Sequence, residues 1–350
     1  MIKPGFIRIN LFLLILSLST LLLFSGGCGE KGEEETIGIE EIGSEYIPPH
    51  AQDASNTPLK DLFSDSSQKS ATKTSTMGEE GWIIKNINRI EEIIINREVS
   101  PDELERGVQL TYEIINSLPT ANTHKCYIGS GRKSLNPRGL CNKYARLFSK
   151  ISELRYFQGD VLSLDDLKTR IYYFDLGKKS GSTSLEYNQN LVDGLFWAAT
   201  NLGSWVSSMH QQYKYNIFKL IENNRALTKT PALVEAMLHR ARRIYSIYRG
   251  GAIYMALGRL YHKVPEKYLE IESGPLPAEK YLRRVNKIRK DKHHLPHYYL
   301  FMFYKDNDNV DGALREAKWL LGNLKKVDFV KQFPIYAQRE YDSVMEFMNR

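Results

Sequence analysis

Cysteine is scarce in this sequence, with three residues in 350. A small fold held together mainly by disulfide bonds is therefore excluded. We find no sustained run of alternating apolar and polar residues, which is the pattern of a half-buried β-strand. The motifs G-x-S-x-G and H-E-x-x-H, which mark common hydrolases, are also missing. These absences argue against a β-rich fold, and we expect no catalytic activity, no cofactor and no bound metal.

An apolar block near the start of the chain has the layout of a secretory signal. Lys3 and Arg8 precede it, and residues 11–24 (LFLLILSLSTLLLF) carry no charge. A membrane-spanning helix needs about 20 apolar residues, and this block is shorter. The small residues of the following SGGC then resemble the cleavage site of a bacterial lipoprotein, in which Cys28 is lipidated and becomes the first mature residue.

The block therefore predicts a lipoprotein signal peptide over residues 1–27. The alternative is a plain signal peptide or an uncleaved anchor in which the cysteine is incidental. Each interpretation places the rest of the chain outside the cytoplasm. Gly29 is not the aspartate associated with inner-membrane retention, so we expect the anchor on the periplasmic face of the outer membrane.

The two remaining cysteines are candidates for a disulfide bond. Cys126 and Cys141 enclose the Gly, Ser and Pro-rich stretch KCYIGSGRKSLNPRGLC, and the compartment permits oxidation. A bond between them closes a loop of about 15 residues and contributes about 3 kcal/mol in the chain-entropy model. The alternative, two unpaired small apolar side chains, remains open because spacing alone does not fix geometry.

Charge is distributed unevenly along the chain. Residues 28–80 contain twelve acidic residues and four lysines, a net charge of −8, whereas residues 81–350 carry a net charge of +13. The acidic segment has few large apolar residues and no periodicity, which predicts a disordered tether. The basic body favours anionic partners, such as a membrane surface, an acidic protein or a carboxylate solute, although the charge could serve solubility alone. Nucleic acid is not expected as a partner of a secreted chain.

Residues 81–350 are patterned as helices almost without interruption. An isoleucine stripe at helical spacing runs from Ile83 to Ile95, and Ser100, Pro101 and Glu103 provide the start signals of a second helix. Further apolar stripes follow over the rest of the chain. The sequence predicts an all-α body over these 270 or so residues, which is enough to bury an extended core.

One short stretch carries a resemblance to a known repeat. Residues 254–261 read YMALGRLY and, with Tyr254 in place of tryptophan, fit W-x2-L-G-x2-Y, the first-helix signature of the tetratricopeptide repeat. Gly258 would let a partner helix approach closely. Tyr254, Leu257 and Tyr261 would share one helix face. A second Leu-Gly pair, Leu202 and Gly203, lies 55 residues earlier, well above the usual period of about 34.

The order of these segments resembles a transporter family. FWAATNLGSW, LVEAMLHRARRI, YRGGAIYMALGRLYHKVP, HYYLFMFY and DGALREAKWLL follow one another over about residues 145–330. This order is similar to the T-component family of tripartite ATP-independent periplasmic (TRAP) transporters, which are lipoproteins built from degenerate tetratricopeptide-like helix pairs. The resemblance implies docking of a periplasmic solute-binding protein, and possible self-association and transfer of an apolar or acidic solute. The sequence departs from the family at Tyr254, in the insert at residues 267–277 and in the N-terminal cysteine region.

Several side chains were considered as sites. Trp197, Trp205, Arg283 and Arg284 are candidates for a ligand or partner surface, against the alternatives of core packing and a solvated helix face. Two further groups have weaker patterns. His293, His294 and His297 lack ligand spacing for a metal, and Glu270 and Glu272 are the pair that a glycan hydrolase would need. Two other functions remain open: a scaffold lipoprotein in outer-membrane assembly, and such a hydrolase.

Overall fold

The computed structural model describes residues 59, 76–120, 126, 139–162, 166–213, 229–272, 274–290, 293–325 and 333–349, without the side chains of residues 76–80, 210 and 213. The predicted signal peptide, Cys28 and most of the predicted tether lie outside the described residues.

The described residues form eleven α-helices and contain no β-strand, which confirms the all-α prediction. In chain order they are α1 (Thr76–Ile95), α2 (Glu103–Ser117), α3 (Leu140–Phe157), α4 (Leu167–Tyr187), α5 (Val192–Tyr213), α6 (Thr230–Ile244), α7 (Ala252–Lys263), α8 (Pro275–Arg289), α9 (His294–Asp306), α10 (Val310–Asn323) and α11 (Pro334–Met348). A π-helical turn, Gln158–Leu162, extends α3. None of the described helices is long and apolar enough to cross a membrane.

Helices that follow one another pack as antiparallel pairs. In the pair α7 and α8, Gly258 lies so close to Leu282 that a Cβ at this position would be 2.7 Å from the Leu282 side chain, while Gly251 lies beside Ile288. In the pair α4 and α5, a Cβ at Gly181 would be 2.7 Å from the backbone of Ala198. Gly258 and Gly181 are required because a side chain at either position would push the two helix axes apart.

The packing predicted for the YMALGRLY motif is present on α7. Leu257 and Tyr261 are buried, and Tyr254 is half-buried. The rings of Tyr254 and Tyr261 both stack on Tyr281 of α8, with centroid distances of 5.8 and 5.5 Å. The stretch DGALREA lies on α10, where Ala313 and Ala317 are fully buried, as expected for the second helix of a pair.

The prediction is wrong for Gly203, because no atom lies within 4 Å of a Cβ built there and the glycine therefore makes no close helix contact. Leu202 is half-buried and packs against the apolar core. Close contact in this part of the fold is made instead by Gly177 and Gly181 of α4, which face α5. Leu202-Gly203 has the same two residue types as Leu257-Gly258, but the neighbouring helix packs on another face of α5.

The predicted boundary of the tether at residue 81 also needs correction. The helix α1 begins at Thr76, five residues earlier. Leu59, which is inside the predicted tether, is buried with 5% exposure and belongs to the apolar core. Leu59 is a large apolar residue in a polar stretch, and the hydrophobic effect favours its burial.

Cys126 and Cys141 are joined by a disulfide bond, with their Cα atoms 5.7 Å apart. Cys141 lies in the first turn of α3. The bond therefore fixes the segment before α3 to the start of that helix.

Candidate functional site

Side chains from four separate parts of the chain lie near one another between helices, in a group that we call the arginine–tyrosine cleft. The last turn of α3 and the π-helical turn, α7, α9 and α11 each contribute to it. The cleft is defined by Tyr156, Asp160, Arg259, Tyr299, Tyr336 and Arg339.

Arg259 of α7 is the central group of the cleft. Its guanidinium lies over the ring of Tyr299, 4.5 Å from the centroid, and within hydrogen-bonding reach of the Tyr156 hydroxyl. The side chain is exposed to water, yet burial is the largest influence on its pKa. Burial acts to lower the pKa of Arg259, while its interactions with Tyr299, Tyr156 and Asp160 raise the pKa overall.

Arg339 of α11 approaches the same group of side chains. Its guanidinium lies 4.8 Å from the centroid of the Tyr336 ring. Burial acts to lower the pKa of Arg339, but Asp160, Tyr299 and Tyr336 raise it. Arg259 and Arg339 therefore share Asp160 and Tyr299 as electrostatic neighbours, although they come from helices about 80 residues apart in the sequence.

Neither arginine has an ionic partner among the described residues, since no carboxylate oxygen lies within 4.0 Å of either guanidinium. Neighbouring arginines differ in this respect. Arg249 donates two hydrogen bonds of 2.5 and 2.9 Å to the buried carboxylate of Glu153, and Arg155 lies 2.6 Å from Glu105. Arg259 is exposed and Arg339 is half-buried, so water can solvate part of each charge.

The carboxylate of the cleft, that of Asp160, already has partners within the protein. Asp160 accepts a hydrogen bond from the Tyr336 hydroxyl and lies 3.9 Å from Arg170. The π-helical turn places Asp160 where α11 can reach it. The N–H groups of Ile335 and Tyr336 at the start of α11 donate to the buried carboxylate of Glu98, both at 3.1 Å. These contacts fix the end of α11 that carries Tyr336.

The tyrosines of the cleft stay protonated at neutral pH. Burial raises the pKa of Tyr156 and of Tyr299 above the ordinary value of a phenol, and burial together with Asp160 raises that of Tyr336. A protonated phenol donates and accepts hydrogen bonds but does not act as a base. Two permanent cations and three phenols therefore make a surface suited to binding.

The sequence candidates do not form one surface. Trp197 and Trp205 of α5 are buried, with 4% and 9% exposure. Trp197 does adjoin the cleft, because its ring lies 5.4 Å from that of Tyr156. Arg283 and Arg284 are exposed on α8. Arg283 is bonded to Glu279 at 2.7 Å and to the Tyr304 hydroxyl at 2.6 Å.

The histidine cluster is divided among separate carboxylates. The Nδ1 atom of His294 lies 2.6 Å from Glu340, and that of His297 lies 2.7 Å from Glu316. No group of three potential metal ligands is found in the described parts of the chain.

The two glutamates of the insert are not arranged as a facing pair. The Glu272 carboxylate accepts a hydrogen bond of 2.6 Å from Tyr281, whereas the Glu270 side chain is exposed. Their backbone N–H groups both donate to the buried Glu235, at 2.9 and 2.8 Å. Glu235 therefore helps to fix the backbone of the insert.

Sequence reasoning missed the cleft. One signal was present: Arg259 is the single charged residue in the apolar stretch AIYMALGRLY of α7. The other members come from positions up to 183 residues apart, and no local pattern links Tyr156 to Arg339.

Comparison with known proteins assigns no family. No family model matches the sequence, and no curated protein shows significant similarity to it.

Proposed function

We propose that the protein is a lipid-anchored binding protein of the cell envelope, the accessory T-component of a TRAP-type solute uptake system, which docks a solute-binding protein and performs no covalent chemistry. The observation that carries the proposal is the packing of α7 and α8, where the repeat-like motif YMALGRLY meets its partner helix through Gly258 and Tyr261. Stacked helix pairs bury their faces against their neighbours and leave a long surface for a protein partner.

The chemistry of the cleft supports binding over catalysis. Its guanidinium groups keep their protons, and its phenols have raised pKa values. A general acid or base works best with a pKa near the operating pH, and neither kind of group has one. The fatty chain on Cys28, the acidic tether and the outer-membrane location belong to the same proposal and depend on the sequence alone.

Affinity capture tests the proposal. The full chain, immobilised through a C-terminal tag, is incubated with detergent-solubilised envelope, and bound proteins are identified by mass spectrometry. We expect a periplasmic solute-binding protein to be recovered. Recovery of barrel-assembly proteins without a solute-binding protein would favour the scaffold function and overturn this one.

A matched pair of charge reversals locates the docking surface. Arg284 is exposed on α8 and has no ion pair in the described structure. We expect R284E to reduce recovery of the solute-binding protein. The control is K85E on α1, whose side chain is also exposed and has no ion pair in the described structure and which lies on another helix pair. Equal recovery with both variants would show that the α8 face is not the docking surface.

A further inference from the structure

We propose that a basic face of α8 binds the acidic segment at residues 30–45 of the same chain, and that this contact competes with partner docking. The basic face is defined by Lys280, Arg283, Arg284 and Lys287. The inference deepens the proposed function by adding a form of regulation. It rests on that function only for the partner that the segment would displace.

The four cations lie on one side of α8. They are three or four residues apart, a spacing that places side chains on one stripe of a helix, and all four are exposed. The opposite side of the helix packs into the protein, where Leu282 and Val285 are fully buried. The geometry of α8 therefore presents a row of positive charge to the solvent.

This row has little counter-charge. Arg283 lies 2.7 Å from Glu279, whereas Lys280, Arg284 and Lys287 have no ion pair in the described structure. Cations three and four residues apart on a helix repel one another. An anionic segment that lies along α8 would remove this repulsion.

A fifth cation borders the basic face. Arg315 of α10 lies 5.5 Å from the centroid of the Tyr304 ring, and the hydroxyl of the same tyrosine accepts a hydrogen bond of 2.6 Å from Arg283. The Arg315 side chain is exposed, but its partner Glu316 is buried and is also bonded to His297. Positive charge therefore continues from α8 onto the neighbouring helix.

The acidic segment has the complementary charge. Residues 30–45 contain seven glutamates and one lysine, a net charge of −6, and they lie outside the described residues. Leu59 is buried in the apolar core, so the chain is fixed to the body 14 residues after Glu45.

The segment can reach α8 from this attachment point. A chain of 14 residues spans up to about 50 Å. A compact body of this size has a radius of gyration of about 18 Å, so every face is within this span. Because the segment is covalently attached, its effective concentration at α8 is also higher than that of a separate partner.

An anionic lipid surface fits the basic face less well. A helix that lies on a membrane inserts an apolar side into the lipid, and the apolar side of α8 is buried within the protein. Among the described residues of α8, Leu276 is the one large apolar side chain that is exposed. The observations therefore favour an acidic polypeptide.

Carbodiimide cross-linking of the full chain in non-ionic detergent tests the contact. The reagent joins a carboxylate to a lysine amine that touches it, and mass spectrometry identifies the joined residues. We expect glutamates of residues 30–45 to be joined to Lys280 or Lys287, and not to Lys85 of α1, which is equally exposed. A mixture of labelled and unlabelled chains separates contacts within one chain from those between copies. The proposal is wrong if no cross-link to α8 forms, or if the cross-links form only between copies.

A matched pair of charge reversals locates the contact. R284E removes a central cation without changing either lysine, and it should reduce the cross-links at Lys280 and Lys287 about threefold or more. K85E is the control and should leave them unchanged. High salt should reduce the cross-links of the unmodified chain, because exposed charges are screened, and this test needs no variant if R284E fails to fold. Unchanged cross-linking in folded R284E or at high salt would overturn the proposal.

Partner capture tests the competition. A variant with glutamine in place of all seven glutamates of residues 30–45 should recover at least twice as much solute-binding protein as the unmodified chain, and equal recovery would exclude competition.

The two readouts fail separately. Cross-links without recovery of a solute-binding protein would reject only the proposed function, whereas recovery without cross-links would reject this inference alone. If cross-links are absent and R284E weakens binding to vesicles of phosphatidylcholine and phosphatidylglycerol, the basic face binds lipid and the inference is overturned.

Discussion

Glu340 and His294 form a buried hydrogen bond that joins α11 to α9, with 2.6 Å between the Glu340 carboxylate and Nδ1 of His294. Both side chains are almost inaccessible, at 0% and 3% exposure. Burial raises the pKa of Glu340 to about 8 and lowers that of His294 to about 3. The pair is therefore neutral at pH 7, with the proton on the carboxyl group.

We predict that the free energy of unfolding is greatest near pH 6.5 and decreases above it. Burial raises the pKa of Glu98 to about 7 and that of Glu340 to about 8. A carboxyl group with a raised pKa stabilises the fold fully below its unfolded value and loses this contribution as pH rises to the folded value. Three histidines have lowered pKa values, about 4 for His239 and about 3 for His293 and His294. Below pH 6.5 these three groups act in the opposite direction and outweigh the two carboxyl groups, because buried neutral histidines must then gain protons.

Urea unfolding between pH 5 and 9 measures this dependence. Between pH 7 and 8 the decrease should be about 1 kcal/mol per pH unit. E340Q keeps a neutral hydrogen-bonding group and should flatten the decrease. E92Q, at an exposed position on α1, is the control. A slope in E340Q equal to that of the unmodified chain would show that Glu340 does not titrate in this range.

The sequence was informative where local chemistry decides the structure. The isoleucine stripe that begins at Ile83 predicted α1, and Gly258 predicted a close helix contact. It was misleading at Gly203, because the same Leu-Gly letters occur on a helix face that has no close partner. The cleft could not be predicted from the sequence, because it depends on which helices contact one another and not on the pattern of any one helix.

We predict that alanine at Gly258 lowers the free energy of unfolding, whereas alanine at Gly203 raises it. In G258A, the new Cβ would be 2.7 Å from Leu282, which is fully buried and has little room to move. Overpacking of this kind costs roughly 1–3 kcal/mol. In G203A there is open space, and the better helix propensity of alanine should stabilise the protein by up to about 1 kcal/mol. Chemical unfolding followed by circular dichroism compares the two, and equal effects would contradict the close contact.

We predict that loss of the disulfide lowers the free energy of unfolding by about 3 kcal/mol, the loop-closure contribution for a loop of this length. The double variant C126S/C141S and the unmodified chain with dithiothreitol should give the same decrease in urea unfolding. Dithiothreitol should have no effect on the double variant, which is the control for its other actions. If reduction leaves the free energy of unfolding unchanged, the bond between Cys126 and Cys141 does not restrict the conformations of the unfolded chain.

The backbone of the insert at residues 267–277 is bonded to one buried carboxylate, and we predict that removing this carboxylate loosens the insert. Glu235 of α6 is fully buried. It accepts hydrogen bonds from the N–H groups of Glu270, Ile271 and Glu272 at 2.8, 3.1 and 2.9 Å. It also accepts a hydrogen bond of 2.9 Å from the hydroxyl of Tyr261. The variant E235A leaves these four donors without an acceptor, and buried donors left in this way cost about 1–3 kcal/mol each when water cannot reach them.

Because the insert can move towards water, we expect a total loss in E235A of about 2–4 kcal/mol. Trypsin should then cut after Lys267 faster than in the unmodified chain, since an ordered backbone resists proteolysis. The matched control is E270A, which removes an exposed carboxylate from the insert itself and leaves its N–H group on Glu235. Equal cleavage rates in E235A and E270A would contradict the prediction, because they would mean that the insert is held by contacts other than the buried carboxylate.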